Sequence, residues 1–283
     1  MTKKILLCAI SNVQSGNCAE DCTFCAQSAR YKTGVDAFKF KEPSEVVAEA
    51  KKARAFGAVG FCLVTSGFGL DNKKTDYLAS LASTVKKEVD GLFLIASAGI
   101  AGTDELKELK RAGVDSYNHN LETSKEFYPS ICSTHSWEAR FSTCENAKSA
   151  NLMLCAGGIF GLGESKEDRD SLLASLKSLS PMSSPLNFYH PNIALPIKEC
   201  SVSTDEALNI IREAKKELTN TVIMVAGGRE HVFGDRQVEI FDAGCDSVII
   251  GDYLTTCGQE PTSDYELLKK AGLEPLTECP FTH

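Results

Sequence analysis

No stretch of this chain approaches the roughly 20 consecutive apolar residues that a bilayer-spanning helix requires. It has no run of lysines and arginines either, and its net charge of −8 argues against nucleic acid or an anionic membrane as a partner. The apolar opening at residues 5–10 is too short for an export signal, and polar Ser11 and Asn12 follow it with no small-residue cleavage site. That run predicts a buried strand. The glycine-rich stretch at 157–163 lacks the Gly-Lys-Ser/Thr of a phosphate-binding loop and does not open a helix as a dinucleotide fingerprint does.

What is present is an ordinary globular composition, 43% apolar and 24% charged, over 283 residues. A single α/β barrel takes roughly 250 residues, so one domain over 1–283 accommodates the whole chain, with 272–283 expected as a C-terminal tail. Twelve cysteines would signal a disulfide framework in a short exported chain. Here a reducing, cytoplasmic setting is expected, which leaves metal ligation, catalysis or plain burial as their uses.

Three of those cysteines, Cys18, Cys22 and Cys25, stand at C-x3-C-x2-C spacing in one short loop. Tetrahedral zinc takes four ligands, commonly in pairs. A cubane iron–sulfur cluster also has four corners to fill. Three local thiolates therefore leave one iron open, which suits a cofactor that must be chelated. The alternatives are a zinc knuckle with a distant fourth ligand, or three unrelated thiols.

Beyond the loop a strand–helix grammar repeats. Strands are expected at 5–10, 60–64, 92–96, 115–118, 152–156, 185–188, 221–225 and 247–250. Helices are expected from a cap at Ser44 to Gly57, then at 75–89, 103–112, 136–149, 166–179, 204–218, 236–243 and 265–271. Near-continuous apolar strands between helices imply a parallel sheet covered on both faces. Eight such units predict an α/β fold of the closed (β/α)8, TIM-barrel type, with the chemistry at the C-terminal ends of the strands. A doubly wound open sheet is the alternative on pattern alone.

Three further features fall at predicted strand ends. Cys62 and Cys155 lie on different strands beside small-residue exits, and Cys8 on the first strand points into the same barrel; inert core thiols are the plainer reading. Asn118, Asn120 and Glu122 alternate along an extended segment and so share one face. Such a row suits a polar ring such as a urea, since each amide both donates and accepts; an Asx-rich turn is the other reading. Gly157 and Gly158 let backbone approach a ligand closely, and Glu164 offers a carboxylate for a cofactor hydroxyl or amine.

These stretches together resemble the biotin synthase family of radical S-adenosylmethionine enzymes. The likeness rests on the cysteine loop continuing through Ala26, Gln27, Ser28, Ala29 and Arg30, and on Phe61-Cys62. It extends to Tyr117-Asn118-His119-Asn120-Leu121, the glycine loop to Glu164, and Gly227-Gly228-Arg229-Glu230. It spans residues 5–275, and the Tyr-Asn-His-Asn-Leu segment separates this family from other radical enzymes with the same loop. The resemblance implies a homodimeric barrel in which Cys18, Cys22 and Cys25 hold a [4Fe–4S] cluster that cleaves S-adenosylmethionine. It implies that the resulting radical activates C9 and C6 of dethiobiotin, and that an auxiliary cluster, [2Fe–2S] or a variant, donates the inserted sulfur. Asn118, Asn120 and Asn187 are then the expected substrate contacts. Asn120, Glu122, Gly157, Gly158 and Glu164 are the expected cofactor contacts, and flavodoxin or ferredoxin is the expected electron donor.

The chain departs from the family pattern at the auxiliary cluster. Cys62 and Cys155 match two of its ligands, but the third-strand cysteine is missing from 94–98 and the seventh-strand arginine is replaced by Met224. Cys8 stands where a serine is usual, and is expected to supply the missing thiolate, with Ser97, Cys279 or a sulfide as fourth ligand. A radical enzyme without sulfur transfer, or a non-catalytic zinc or iron–sulfur protein, is the competing reading.

Overall fold

The computed structural model describes residues 3–255 and 258–281; Cys257 lies outside them. The chain begins with β1 (Lys3–Gln14), α1 (Pro43–Ala55), β2 (Gly60–Thr65), α2 (Asn72–Glu88), β3 (Phe93–Ser97), α3 (Thr103–Arg111) and β4 (Ser116–Asn118). It continues with α4 (Trp137–Ser149), β5 (Met153–Cys155), β6 (Gly158–Phe160), α5 (Lys166–Leu179), β7 (Ser183–Phe188), α6 (Thr204–Glu217) and β8 (Val222–Val225). It ends with α7 (Arg229–Phe233), α8 (Glu239–Ala243), β9 (Ser247–Ile249), α9 (Pro261–Lys270) and β10 (Leu273–Pro275).

All named pairings are parallel, and the sheet closes where β9 returns to β1 in the register Leu6↔Ser247, Leu7↔Val248 and Cys8↔Ile249. Both β5 and β6 pair with β7, so they fill one position and the barrel has the expected (β/α)8 form. Period-two alternation sorts the side chains. Leu7, Phe61, Leu63, Leu94, Leu154 and Val225 face outward and bury the apolar stripes of the helices. Cys8, Cys62, Val64, Ile95, Met224 and Ile249 face inward. Burying each large apolar side chain contributes about 1.5–3 kcal/mol.

The helices start where capping chemistry permits. Ser165 and Ser203 form capping boxes with Asp168 and Glu206, and Asp71 accepts from the Lys74 amide. The first helix differs from expectation. Its cap is Glu42, paired reciprocally with Glu45, and Pro43 sets its first turn, so Ser44 already lies inside it.

Three other expectations are corrected. The first strand runs well past residue 10, because Ser11 and Asn12 still pair with Leu63 and Val64. The glycine loop resumes the sheet as β6, with Gly158, Ile159 and Phe160 in register with Leu186, Asn187 and Phe188. Gly227 and Gly228 lead at once into α7, with Gly228 in the left-handed region at φ 78°. Within residues 272–281, β10 pairs with β1, and Cys279 and Phe281 pack among the inward residues at the strands' N-terminal ends.

Candidate active site

A cavity of about 480 Å³ opens through the barrel, and one continuous wall carries most of the predicted site residues. Its floor is thiol. Cys8, Cys62 and Cys155 all line it and are all buried. Space for Cys8 comes from its neighbour Gly60, where a Cβ would stand 2.5 Å from the Cys8 sulfur. Burial pushes the Cys8 and Cys155 thiols up to about 12 and Cys62 well above its ordinary range. Cys155 adds to the rise at Cys8, and both add to the rise at Cys62. Ser97 completes the floor beside Asn118, whose Nδ2 donates to the serine Oγ at 3.4 Å.

Midway up stands a polar belt. Asn187 is spent on the backbone: its Nδ2 donates to the Gly158 carbonyl (3.1 Å) and its Oδ1 accepts from the Gly227 amide (3.0 Å). Asn120 Oδ1 accepts from the Gly157 amide at 3.1 Å, and Asn120 lines the cavity beside Glu122. Two buried acceptors have no partner, Asn118 Oδ1 and Glu122 Oε2. Such atoms are costly unless a ligand's donors meet them, so the belt fits a small molecule carrying N–H or O–H groups. The other oxygen, Glu122 Oε1, accepts from Arg140 Nη2 at 2.7 Å, and Arg140 Nε is anchored on the Asn120 carbonyl at 2.6 Å. Desolvation raises the Glu122 pKa, and Arg140 opposes that rise.

At the mouth, the cysteine loop is tied by Cys18 N to Gln27 O (3.1 Å), Ala29 N to Cys18 O (2.7 Å) and Cys25 N to Cys22 O (3.1 Å). Gln27 Oε1 in turn accepts from Ser15 and Gly16, which fixes the loop to the end of β1. Cys25 lines the cavity, and burial pushes its thiol up to about 11 with Cys18 adding to the shift. Cys22 is half-buried off the cavity wall, with its sulfur 3.6 Å from that of Cys132. Three soft donors in one loop, one of them on the cavity wall, fit the three-thiolate half of an open-cornered cluster.

A family description, Radical SAM superfamily, matches residues 13–176, and a second, Biotin and Thiamin Synthesis associated domain, matches 185–274. A biotin synthase of Campylobacter lari is 56% identical over 276 residues, covering 98% of this chain and 99% of that protein. Biotin synthases of a Nitratiruptor and a Sulfurovum species are each 54% identical at 98% coverage of this chain. The chain belongs to the biotin synthase family. Among solved structures, methylornithine synthase matches with a TM-score of 0.81 at 18% identity, covering 96% of this chain and 84% of that one. The FeFe-hydrogenase maturase of Carboxydothermus hydrogenoformans matches at 0.84 and 17%, covering 98% and 68%. At such identities these two bear on the fold, and they agree with the radical SAM barrel.

Membership of the biotin synthase family implies S-adenosylmethionine and iron–sulfur clusters as cofactors. Two expectations about individual residues need correction. Glu164 does not line the cavity. Its buried carboxylate accepts from the Gly161 and Leu162 amides and pairs with Arg169 at 2.9 Å, closing its own loop. Gly157 and Gly158 are likewise absent from the lining, and their backbone groups hold Asn120 and Asn187 in place. Gly157 must lack a side chain because a Cβ there would collide with the Pro185 carbonyl. Sequence reasoning missed Arg140, a cation within the 136–149 helix with no motif around it. It also passed over Cys132 and His135, although a C-x2-H spacing beside Trp137 was there to be noticed.

Proposed function

We propose that this chain inserts sulfur between C6 and C9 of dethiobiotin to make biotin. The observation that carries this reading is a single cavity with the three-cysteine loop at its mouth and three buried thiols at its floor. When bound, the clusters supply the electron that splits S-adenosylmethionine and the sulfur that is transferred. The chain supplies everything else. Cys18, Cys22 and Cys25 hold the outer cluster; Asn118 and Asn120 orient a ureido ring by accepting and donating N–H bonds. Glu122 Oε2 accepts from a hydroxyl or ammonium group of the cofactor. The inward Ile10, Val64 and Ile95 keep water from a reactive carbon.

For the auxiliary site the reading is Cys8, Cys62 and Cys155, with Ser97, Cys279 or a sulfide as fourth ligand. Met224 sits in the same inward layer with no charge to offer. A thiolate in place of a guanidinium makes that cluster more negative by two charges, which lowers its potential and opens it to a nuclearity other than [2Fe–2S]. Anaerobic reconstitution of Cys8→Ser tests this: auxiliary iron and sulfide fall while the outer cluster is kept, and unchanged iron discards Cys8 as a ligand.

The reading extends to a cytoplasmic homodimer with one barrel domain per chain, fed electrons by flavodoxin or ferredoxin. The deciding experiment supplies the reconstituted protein with dethiobiotin, S-adenosylmethionine and reductant. Biotin formation supports the assignment. Cofactor cleavage without dethiobiotin consumption would assign a radical enzyme lacking sulfur transfer, and metal binding without cleavage would reduce the chain to a binding protein.

A further inference from the structure

Outside the cavity, among the described residues, one cluster of metal-ligating side chains joins Cys22 to two residues that this function does not use. Cys22, Cys132 and His135 bring their ligand atoms within 4.8 Å of one another. The Cys22 and Cys132 sulfurs are 3.6 Å apart, and Cys132 Sγ lies 3.3 Å from His135 Nδ1. A tetrahedral ion with bonds of about 2.3 Å to sulfur and 2.0–2.1 Å to nitrogen separates two sulfurs by roughly 3.8 Å and sulfur from nitrogen by roughly 3.5 Å. The observed edges need only small expansion. Glu20 Oε2 sits 2.8 Å from the same His135 nitrogen, at hand for a fourth position.

The arrangement is built by its surroundings. Asp21 Oδ1 accepts from the Ser133 amide (2.9 Å) and the Thr134 amide (3.2 Å), and Thr23 N donates to the Ile131 carbonyl (2.9 Å). These bonds fasten the segment carrying Cys132 onto the loop carrying Cys22. The far side of the imidazole is fixed too, with Nε2 3.3 Å from Arg140 Nη1. Cys132 is buried, and the side chains of His135 and Glu20 are 6% and 13% exposed.

We propose that Cys22, Cys132 and His135, with Glu20 at the fourth vertex, bind one thiophilic divalent cation in the cluster-free chain. Two thiolates balance the charge of such an ion, and a sulfur–imidazole set selects zinc-like ions over magnesium or calcium. Because Cys22 also belongs to the three-cysteine loop, the mononuclear ion and the complete [4Fe–4S] cluster exclude each other. This site does not rest on the dethiobiotin reading.

The test titrates metal-free, full-length chain with Co2+ under anaerobic conditions and then displaces it with Zn2+. The thiolate charge-transfer band and bound metal per chain are compared across variants. The floor thiols contribute equally to all of them, so the difference between variants is what counts. Cys132→Ser and His135→Asn each lose one bound ion, whereas the Cys18→Ser/Cys25→Ser double variant keeps it. Equal stoichiometry in wild type, Cys132→Ser and His135→Asn, or loss of the ion in the double variant, overturns the site. A second readout needs no variant: Zn2+ shields the partly exposed Cys22 from iodoacetamide and leaves the equally accessible class of thiol at Cys25 open, as read by mass spectrometry. Uniform shielding, or none, also overturns it.

Discussion

Removing the Glu122 carboxylate separates what that group does for the fold from what it does for the ligand. The pair it makes with Arg140 is short, 2.7 Å, and both side chains are nearly buried at 10% and 12% exposure. Breaking one partner of a buried pair costs about 3–5 kcal/mol, since it strands the other charge. Arg140 keeps its bond to the Asn120 carbonyl and its contact with His135. The low end, about 3 kcal/mol, is therefore expected for Glu122→Ala, more than a hundredfold in the folded ratio. Glu122 has φ 69°, a strained setting that alanine inherits, so backbone relief does not blur the comparison. The assay is urea unfolding of the metal-free chain for Glu122→Ala, Arg140→Met and the double variant. The double variant should recover about 2–3 kcal/mol relative to the sum of the singles. It should not recover S-adenosylmethionine binding after reconstitution, because Oε2 is gone. Strict additivity of the two single costs would refute the pair as a buried, coupled unit. Restored cofactor binding would refute the role given to Oε2.

Three further outcomes follow from the same geometry. In metal-free protein, iodoacetamide should modify Cys8 and Cys155 about tenfold faster per pH unit up to roughly pH 11, because thiols raised to about 12 gain thiolate throughout that range. A plateau near pH 9, as for an ordinary exposed cysteine, would contradict their burial. Glu164→Ala should cost about 2–4 kcal/mol by freeing two loop amides and Arg169, yet leave the cofactor affinity of folded protein unchanged; a large loss of affinity would return Glu164 to the site. Gly157→Ala should displace β6 from β7 and lower biotin formation along with thermal stability, measured by activity and melting, and a neutral result would show that Pro185 yields.

Much of this fold was legible because its strands are apolar runs of the right length between periodic helices, and burial on both sheet faces leaves that mark. The elements that escaped are those in which glycine carries the geometry. Gly158 begins β6 although nothing in its chemistry favours a strand, because its neighbour Ile159 pairs with Asn187 on β7. Gly227 and Gly228 hid α7, a helix of only five residues that no periodicity can reveal. At the site, four residues that reach the cavity were found by their spacing: Cys25, Asn118, Asn120 and Glu122. Residues that act by holding others were not. Arg140 is separated from Glu122 by 18 positions, and only the folded barrel brings them together.

The misplacement of Glu164 and the neglect of Cys132 have one physical origin. A carboxylate after a glycine loop and a cysteine in a turn carry no sign of where their side chains point, and direction decides function. Glu164 turns back because Gly161 and Leu162 present two unpaired amides within reach, and buried amides outcompete a distant ligand. Cys132 turns toward Cys22 because Asp21 binds the backbone on either side of Ser133. In both cases backbone donors recruit a carboxylate; Glu164 then only closes its own loop, whereas Asp21 also holds the Cys132 sulfur, which donates to its Oδ1 at 3.4 Å.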